Sequence, residues 1–358
     1  MNLFSRWPIF TPILGAIILG FLYQHSMSSL LTGVAILVML LTVITSVHHA
    51  EVIAHRLGEP YGTLVLALAV TVIETALILS LMLLGTSENP TLPRDTVYSA
   101  VMIICNGVVG LCLLLGGINH REQVFRIEGT GSGFAALVTL SMLVLIMPVL
   151  TTSSPGATYT NSQLIFVAAA SLILWLVFVF IQTIRHRDYF LPSSNTEDET
   201  VHCPPPSLGQ AWMSFGLLLV SLVCVVGYAK TLAPGIEQLV TAMQAPPAFV
   251  GILVAMIVLL PETWAALRAA LSNRLQTSMN LAIGSALASI GLTIPLVVLA
   301  SVLLDLKLVI GIDDKDIAML SLTFLVGSIT LGSGRTNLMQ GAIHLIIFAA
   351  FLFLTLVP

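Results

Sequence analysis

Charge is what this chain of 358 residues has least of: only 8% of it is Asp, Glu, Lys or Arg, against 57% hydrophobic residues. A soluble domain carries roughly a quarter charged residues, so a water-soluble globule is excluded. Cysteine is nearly as scarce. The four present, Cys105, Cys112, Cys203 and Cys224, show no CxxC spacing and three fall in apolar runs, which excludes a disulfide framework and a zinc site. No HExxH sequence and no TVGYG filter occur, and a net charge of −4 carries no nucleic-acid signature. No cofactor and no enzymatic activity are expected.

What the chain has in abundance is apolar runs, with a mean hydropathy of +1.02. Crossing the hydrocarbon core takes about 20 residues. Runs of that kind lie near 8–24, 27–48, 60–85, 95–118, 132–151, 162–184, 209–230, 246–270, 278–303, 314–333 and 337–357. They predict an all-α polytopic membrane protein of about eleven transmembrane helices. The first run follows Arg6, but no small-x-small cleavage site comes after it in GFLYQHSMSS, so it is expected to be a retained helix rather than a signal peptide. Lys and Arg gather in cytosolic loops. With the N-terminus inside, the cytosolic side collects Arg6, Arg56, Arg121, Arg126, Arg185, Arg187, Arg268, Arg274 and Arg335, and Arg94, Lys230, Lys307 and Lys315 remain outside; nine against four favours a cytosolic N-terminus and an external C-terminus.

The one long hydrophilic interruption, DYFLPSSNTEDETVHCPPPS at 188–207, reads as an acidic cytosolic linker. It divides the chain into an N-terminal helix (1–26), a first five-helix repeat (27–187) and a second (208–358). Repeats of five helices enter the membrane from opposite sides, which is inverted-repeat topology.

Only two acidic residues sit deep inside apolar runs, one per half: Glu74 in TLVLALAVTVIETALILSLMLLG and Glu262 in AFVGILVAMIVLLPETWAALRAAL. Intramembrane carboxylates face a bundle interior or a watery cavity and mark ion or proton pathways. Laying LALAVTVIET over VAMIVLLPET matches Ala67, Val70, Glu74 and Thr75 with Ala255, Val258, Glu262 and Thr263. Both carboxylates thus fall in the second helix of their repeat, where inverted symmetry brings sites together near the midplane. They are the expected cation-binding and proton-exchanging pair.

Auxiliary oxygen ligands are sought around them, because hard cations such as calcium and sodium prefer oxygen. Pro261 cannot bond the carbonyl of Ile257, which either faces the cation or marks an ordinary kink. Thr71 lies one turn before Glu74, as a ligand or bonded to its own helix. Asn106, in MIICNGVVGLCLLLGG, either binds a cation or joins two helices. The counterpart NLAIGSALASIGLTIP offers Ser285 and Ser289 beside small residues that allow close packing. His48, His49, Glu51, His55 and Glu59 gather at the end of the second helix as an interfacial cluster or a proton relay. Asp313, Asp314 and Asp316 form a solvated turn or a cation-gathering mouth, and Asn337 and His344 are placed to hold the last helix.

The stretches AHRLGEPYGTLVLALAVTVIE (54–74), NPTLPRDTVYSAVMI (89–103), MNLAIGSALASIGLTIPLVV (279–298) and SGRTNLMQGAIHL (333–345) resemble the bacterial ChaA-type antiporters of the calcium/cation antiporter superfamily. The resemblance implies one helix plus two inverted repeats of five in a bacterial inner membrane, with Glu74 and Glu262 as paired ion-binding acids. It implies Ca2+, Na+ and K+ as transported ions, each exchanged for H+, with the lipid bilayer and inorganic cations as the chain's partners. One departure stands out. Calcium/proton exchangers of the superfamily carry Gly-Asn-Ala before each acid, where this chain has Val70-Thr71-Val72 and Val258-Leu259-Leu260, and their second-repeat Gln appears as Ala288. The alternatives to an antiporter are a passive cation channel and an intramembrane metalloenzyme.

The topology is open to a direct check. Six helices from a cytosolic N-terminus return the chain to the cytosol at Cys203. An impermeant maleimide is therefore expected to label Cys203 in inside-out vesicles and not in intact cells; labelling in intact cells contradicts the inverted repeats.

Overall fold

The computed structural model describes residues 7–24, 29–57, 61–84, 89–191, 206–242, 246 and 248–357. Glu59, most of the 188–207 linker and Cys203 lie outside the described residues. The helices are α1 (Trp7–Leu22), α2 (Ser29–Leu57), α3 (Tyr61–Leu84), α4 (Leu92–His120), α5 (Ile127–Leu150), α6 (Asn161–Arg185), α7 (Leu208–Ala242), α8 (Ala248–Leu271), α9 (Leu275–Leu304), α10 (Asp314–Gly332) and α11 (Leu338–Leu356). Two short strands, β1 (Glu122–Val124) and β2 (Arg335–Asn337), pair antiparallel with Gln123 opposite Thr336. Among the described residues eight helices are long and apolar enough to span a membrane, nine if the bent α8 is one span, and shorter apolar helices lie at Trp7–Leu22 and Leu68–Leu83. The protein is an integral membrane protein.

The helices form two compact units: residues 1–89 with 200–245, and residues 90–199 with 246–358. Each unit therefore takes helices from both sides of the linker. In the first unit, α1 is fastened by polar groups that proline chemistry exposes. Pro12 has no N–H for the carbonyl of Pro8 four residues back. Nε2 of the buried His49 on α2 donates to that carbonyl at 2.9 Å, and its Nδ1 lies 3.3 Å from the Ser214 hydroxyl of α7. Tyr228, fully buried on α7, donates to the carbonyl of Gly15 at 2.7 Å. His49 thus has a structural employment that accounts for its burial.

The second unit is built on close crossings. A Cβ added at Gly251 of α8 would stand 2.7–2.9 Å from atoms of Asp95 and Thr96 on α4. A Cβ at Gly341 of α11 would stand 2.4 Å from the backbone nitrogen of Leu114 and 2.9 Å from the carbonyl oxygen of Gly110. Small residues let apolar helices approach to backbone contact, the chief source of helix association in lipid.

Hydrogen bonds sort the loops of this unit to two ends. At one end, Gln123 donates to the Ala270 carbonyl at 2.9 Å and to Asn273 Oδ1 at 3.0 Å, the Arg126 amide donates to Gln276 Oε1 at 2.6 Å, and Asn280 donates to the Phe190 carbonyl at 2.6 Å. At the other, Val309 donates to the Pro90 carbonyl at 3.0 Å, Gly311 to that of Ala157 at 2.9 Å, and Arg94 to that of Gly311. The alternation is the one the basic residues predict: Arg121, Arg126, Arg274 and Arg335 share one end, Arg94 and Lys307 the other. Asp313 and Asp316 at this second end pair with Arg94 (3.7 Å) and Lys315 (3.2 Å). Asp95, passed over by the sequence reading because it borders its span, is 7% exposed and accepts from Arg94 and Thr91 at 2.9 Å.

Gly341→Ala is expected to force α4 and α11 apart and lower the apparent melting temperature in detergent by several degrees, the scale of an overpacked core, about 1–3 kcal/mol. Gly216→Ala, where nothing lies within 4 Å of the added Cβ, is the control and is expected to be neutral. Equal effects would refute the close-crossing account.

Candidate functional site

Each carboxylate is positioned by a largely apolar helix. Glu74, on α3, is 2% exposed, and its neighbours Thr71 (2%) and Thr75 (5%) are buried with it among Ile73, Leu77 and Ile78. Glu262, on α8, is half-buried and follows a break: Ala248–Leu260 and Glu262–Leu271 are bent by 54°. The cause is local. Pro261 supplies no N–H to the Ile257 carbonyl, a break the sequence predicts for this position. The bend sets the carboxylate at the start of a new helical direction.

In the unit that holds Glu262, α8 and α4 both begin at the end where Gly251 meets Asp95 and Thr96. Eleven residues on from that crossing, a rise of about 16 Å, come Glu262 on one helix and Asn106 on the other, so the two share a depth. Asn106 is fully buried. Its Nδ2 donates to the Thr323 hydroxyl of α10 at 2.9 Å, and its Oδ1 lies 3.2 Å from Nδ1 of His344 on α11. Nε2 of His344 lies 3.1 Å from the Thr330 hydroxyl. Of the alternatives the sequence leaves for Asn106, these bonds describe a junction of three helices. His344 and Asn337 hold the last helix as expected: Asn337 Oδ1 accepts from the Met339 amide at 3.0 Å, and Gln340 Oε1 from the Asn337 amide at 2.9 Å.

The stretch around Asn106, Ile103–Val108, is a π-turn inside α4; Ser289–Thr293 is another, inside α9. π-turns are often found at functional sites because the inserted residue frees backbone groups. Ser289 is 4% exposed within the second turn, and Ser285 is half-buried one turn earlier. For Ser289–Thr293 the sequence did hold a signal, Pro295, which has no N–H for Gly291. The partners Thr323 and Thr330 had none, being ordinary threonines of an apolar helix.

Comparison with known proteins adds a second line of observation. The family model described as sodium/calcium exchanger protein matches residues 25–184 and 213–357. A Sinorhizobium fredii protein named as an ionic transporter, y4hA, is 44% identical over 98% of this chain and 96% of its own. The sodium-potassium/proton antiporter ChaA of Escherichia coli is 36% identical over 95% of this chain and 93% of its own. Among solved structures, the Ca2+/H+ antiporter YfkE superposes with a TM-score of 0.73 at 15% identity over 100% of both chains, and the H+/Ca2+ exchanger CAX with 0.68 at 11% over 96% of this chain and 86% of that one. Those structural likenesses establish the fold. With the family model matched across nearly the whole chain and a relative this similar over its full length, the protein belongs to the sodium/calcium exchanger family.

Proposed function

We propose that this protein is a secondary antiporter that exports Na+, K+ and Ca2+ in exchange for H+, with Glu74 and Glu262 as one shared site where cation and protons compete. The observation that carries the reading is the placement of two carboxylates, one per half and at matching positions, as the only acidic residues of two largely apolar helices. Family membership supports it, as do relatives named for sodium-potassium/proton and Ca2+/H+ antiport. In this reading all eleven helices cross a bacterial inner membrane with the N-terminus in the cytosol, the short α1 and α3 included.

The physical chemistry of the pair sets the mechanism. Taking an ionised carboxylate out of water costs several kcal/mol even after relaxation. A bound cation cancels that charge, and so do protons. Only neutralised states can pass between inward and outward access, since the empty, doubly ionised site is too costly to occlude. Exchange is then obligatory, and the inward proton gradient drives cations out. Thr71, Ser285, Ser289 and the Ile257 carbonyl are the auxiliary oxygens of this site, and Asn106 supports it from behind. With valines and leucines where related calcium exchangers carry Gly-Asn-Ala, the site offers few amide oxygens, which suits a broad choice of cation.

Glu74→Gln and Glu262→Gln each put a permanently neutral amide in place of a group that must gain and lose a proton. Each is expected to cut exchange in reconstituted vesicles by two orders of magnitude or more, the scale of a lost proton-transfer group, while the protein remains folded. Near wild-type exchange by either variant removes the shared site. Competition has a second consequence: the half-saturating cation concentration is expected to rise as pH falls from 9 to 6, because protons occupy the same oxygens. A half-saturation constant across that range contradicts it.

A further inference from the structure

Among the described residues four π-turns occur, and two of them have a local cause. Those at Met142–Ile146 and Ser289–Thr293 stand just ahead of Pro148 and Pro295, which offer no N–H to the Val144 and Gly291 carbonyls four residues back. The turn at Ile181–Arg185 merely ends α6. The turn at Ile103–Val108 lies in the middle of α4, and the chain has no proline between Pro93 and Pro148. With no proline to cause it, this turn has its outside support at Asn106, whose side chain bonds two other helices.

We propose that His344 is that support: a positioning residue on α11 that fixes the Ile103–Val108 turn of α4, and through it the surface on which the Glu262 helix packs. The inference rests on the reading of Glu262 as an ion-binding carboxylate. α8 packs along both halves of α4 and on the turn between them. Behind the turn, the other side of α4 lies against α11, where a Cβ at Gly107 would meet Phe348 at 3.3 Å and one at Gly110 would meet Leu345 and His344 at 3.0–3.1 Å. Glycine at these places brings the imidazole to the turn's backbone.

The hydrogen bonds define which form of the ring does this. The Thr323 hydroxyl gives its proton to the Met319 carbonyl at 2.9 Å and so accepts from the Asn106 amide. That orientation turns the Asn106 carbonyl oxygen to His344, whose Nδ1 must then carry the hydrogen and donate. The carbonyl of Cys105, inside the turn, is a further acceptor beside the ring. Nε2 is left to accept from Thr330. A neutral imidazole with hydrogen on Nδ1 thus meets both the side chain and the backbone of the turn. Without the ring the fully buried Asn106 carbonyl oxygen would lose this donor, which ties the turn to α11.

The test uses the full chain in proteoliposomes, with Na+- and Ca2+-driven proton flux measured over a range of cation concentrations at one pH. Asn places its amide nitrogen where imidazole has Nδ1, and Gln places it where imidazole has Nε2. His344→Leu is expected to raise the half-saturating cation concentration about tenfold, about 1.4 kcal/mol. His344→Asn is expected to restore it to within about threefold and His344→Gln to leave it raised, at matched melting temperatures. A merely structural role would make transport follow melting temperature and would not separate Asn from Gln. Wild-type behaviour of His344→Leu, or equal behaviour of Asn and Gln, overturns the proposal; if the Leu variant does not fold, the Asn and Gln pair decides alone. Glu262→Gln measured alongside keeps the two readings apart. If it is silent while His344→Leu is normal, only the positioning role falls; if it exchanges normally, the ion-site reading falls and takes the positioning role with it.

Discussion

Hydrocarbon offers no hydrogen bonds, so every polar group carried into the membrane has to be answered by another group of the same chain or by what the chain transports. Much of this architecture is a record of such answers. Pro12 exposes the carbonyl of Pro8 in α1, and His49 answers it from α2, holding the first helix to the bundle. Asn106, within the π-turn of α4, is answered by Thr323 of α10 and His344 of α11. In both places a histidine, which can donate through one nitrogen and accept through the other, joins elements that apolar packing alone would leave free to slide.

In the mechanism proposed above, the glutamates belong to the same account with a different ending. Carbonyls and amides can be satisfied permanently, whereas a buried carboxylate that must release its partner cannot. Its partner has to be exchangeable, and a cation or a proton is the smallest such partner. The requirement that the charge never be left bare then turns a binding site into an exchanger, because each departure has to be matched by an arrival before the site closes. The bend at Pro261 places Glu262 at the start of a new helical direction.

Much of this was legible in the sequence because it is local. Apolar runs of the right length gave the helices, the spacing of arginines gave the alternation of ends, and Pro261 announced the break in α8. What stayed hidden was whatever depends on contacts distant in the chain. Asn106 lies 217 residues from Thr323 and 238 from His344, so whether its amide faced an ion or another helix was open until the fold joined them. The division into compact units was hidden for the same reason: the sequence divides at its linker, while each unit gathers helices from both sides of that linker. The strand pair β1–β2 is three residues long on each side, too short for any alternating pattern to announce it.

The central claim is that no charge crosses without an opposite exchange, and it is tested most directly by thermodynamic coupling rather than by any variant. Purified protein is sealed in vesicles with equal pH on both sides and the voltage clamped at zero, and a sodium, potassium or calcium gradient is imposed. Protons are expected to move uphill against the cation flow, building a pH difference that vanishes when the cation gradient is removed. Cation flux that proceeds to equilibrium with no accompanying proton movement would contradict the account.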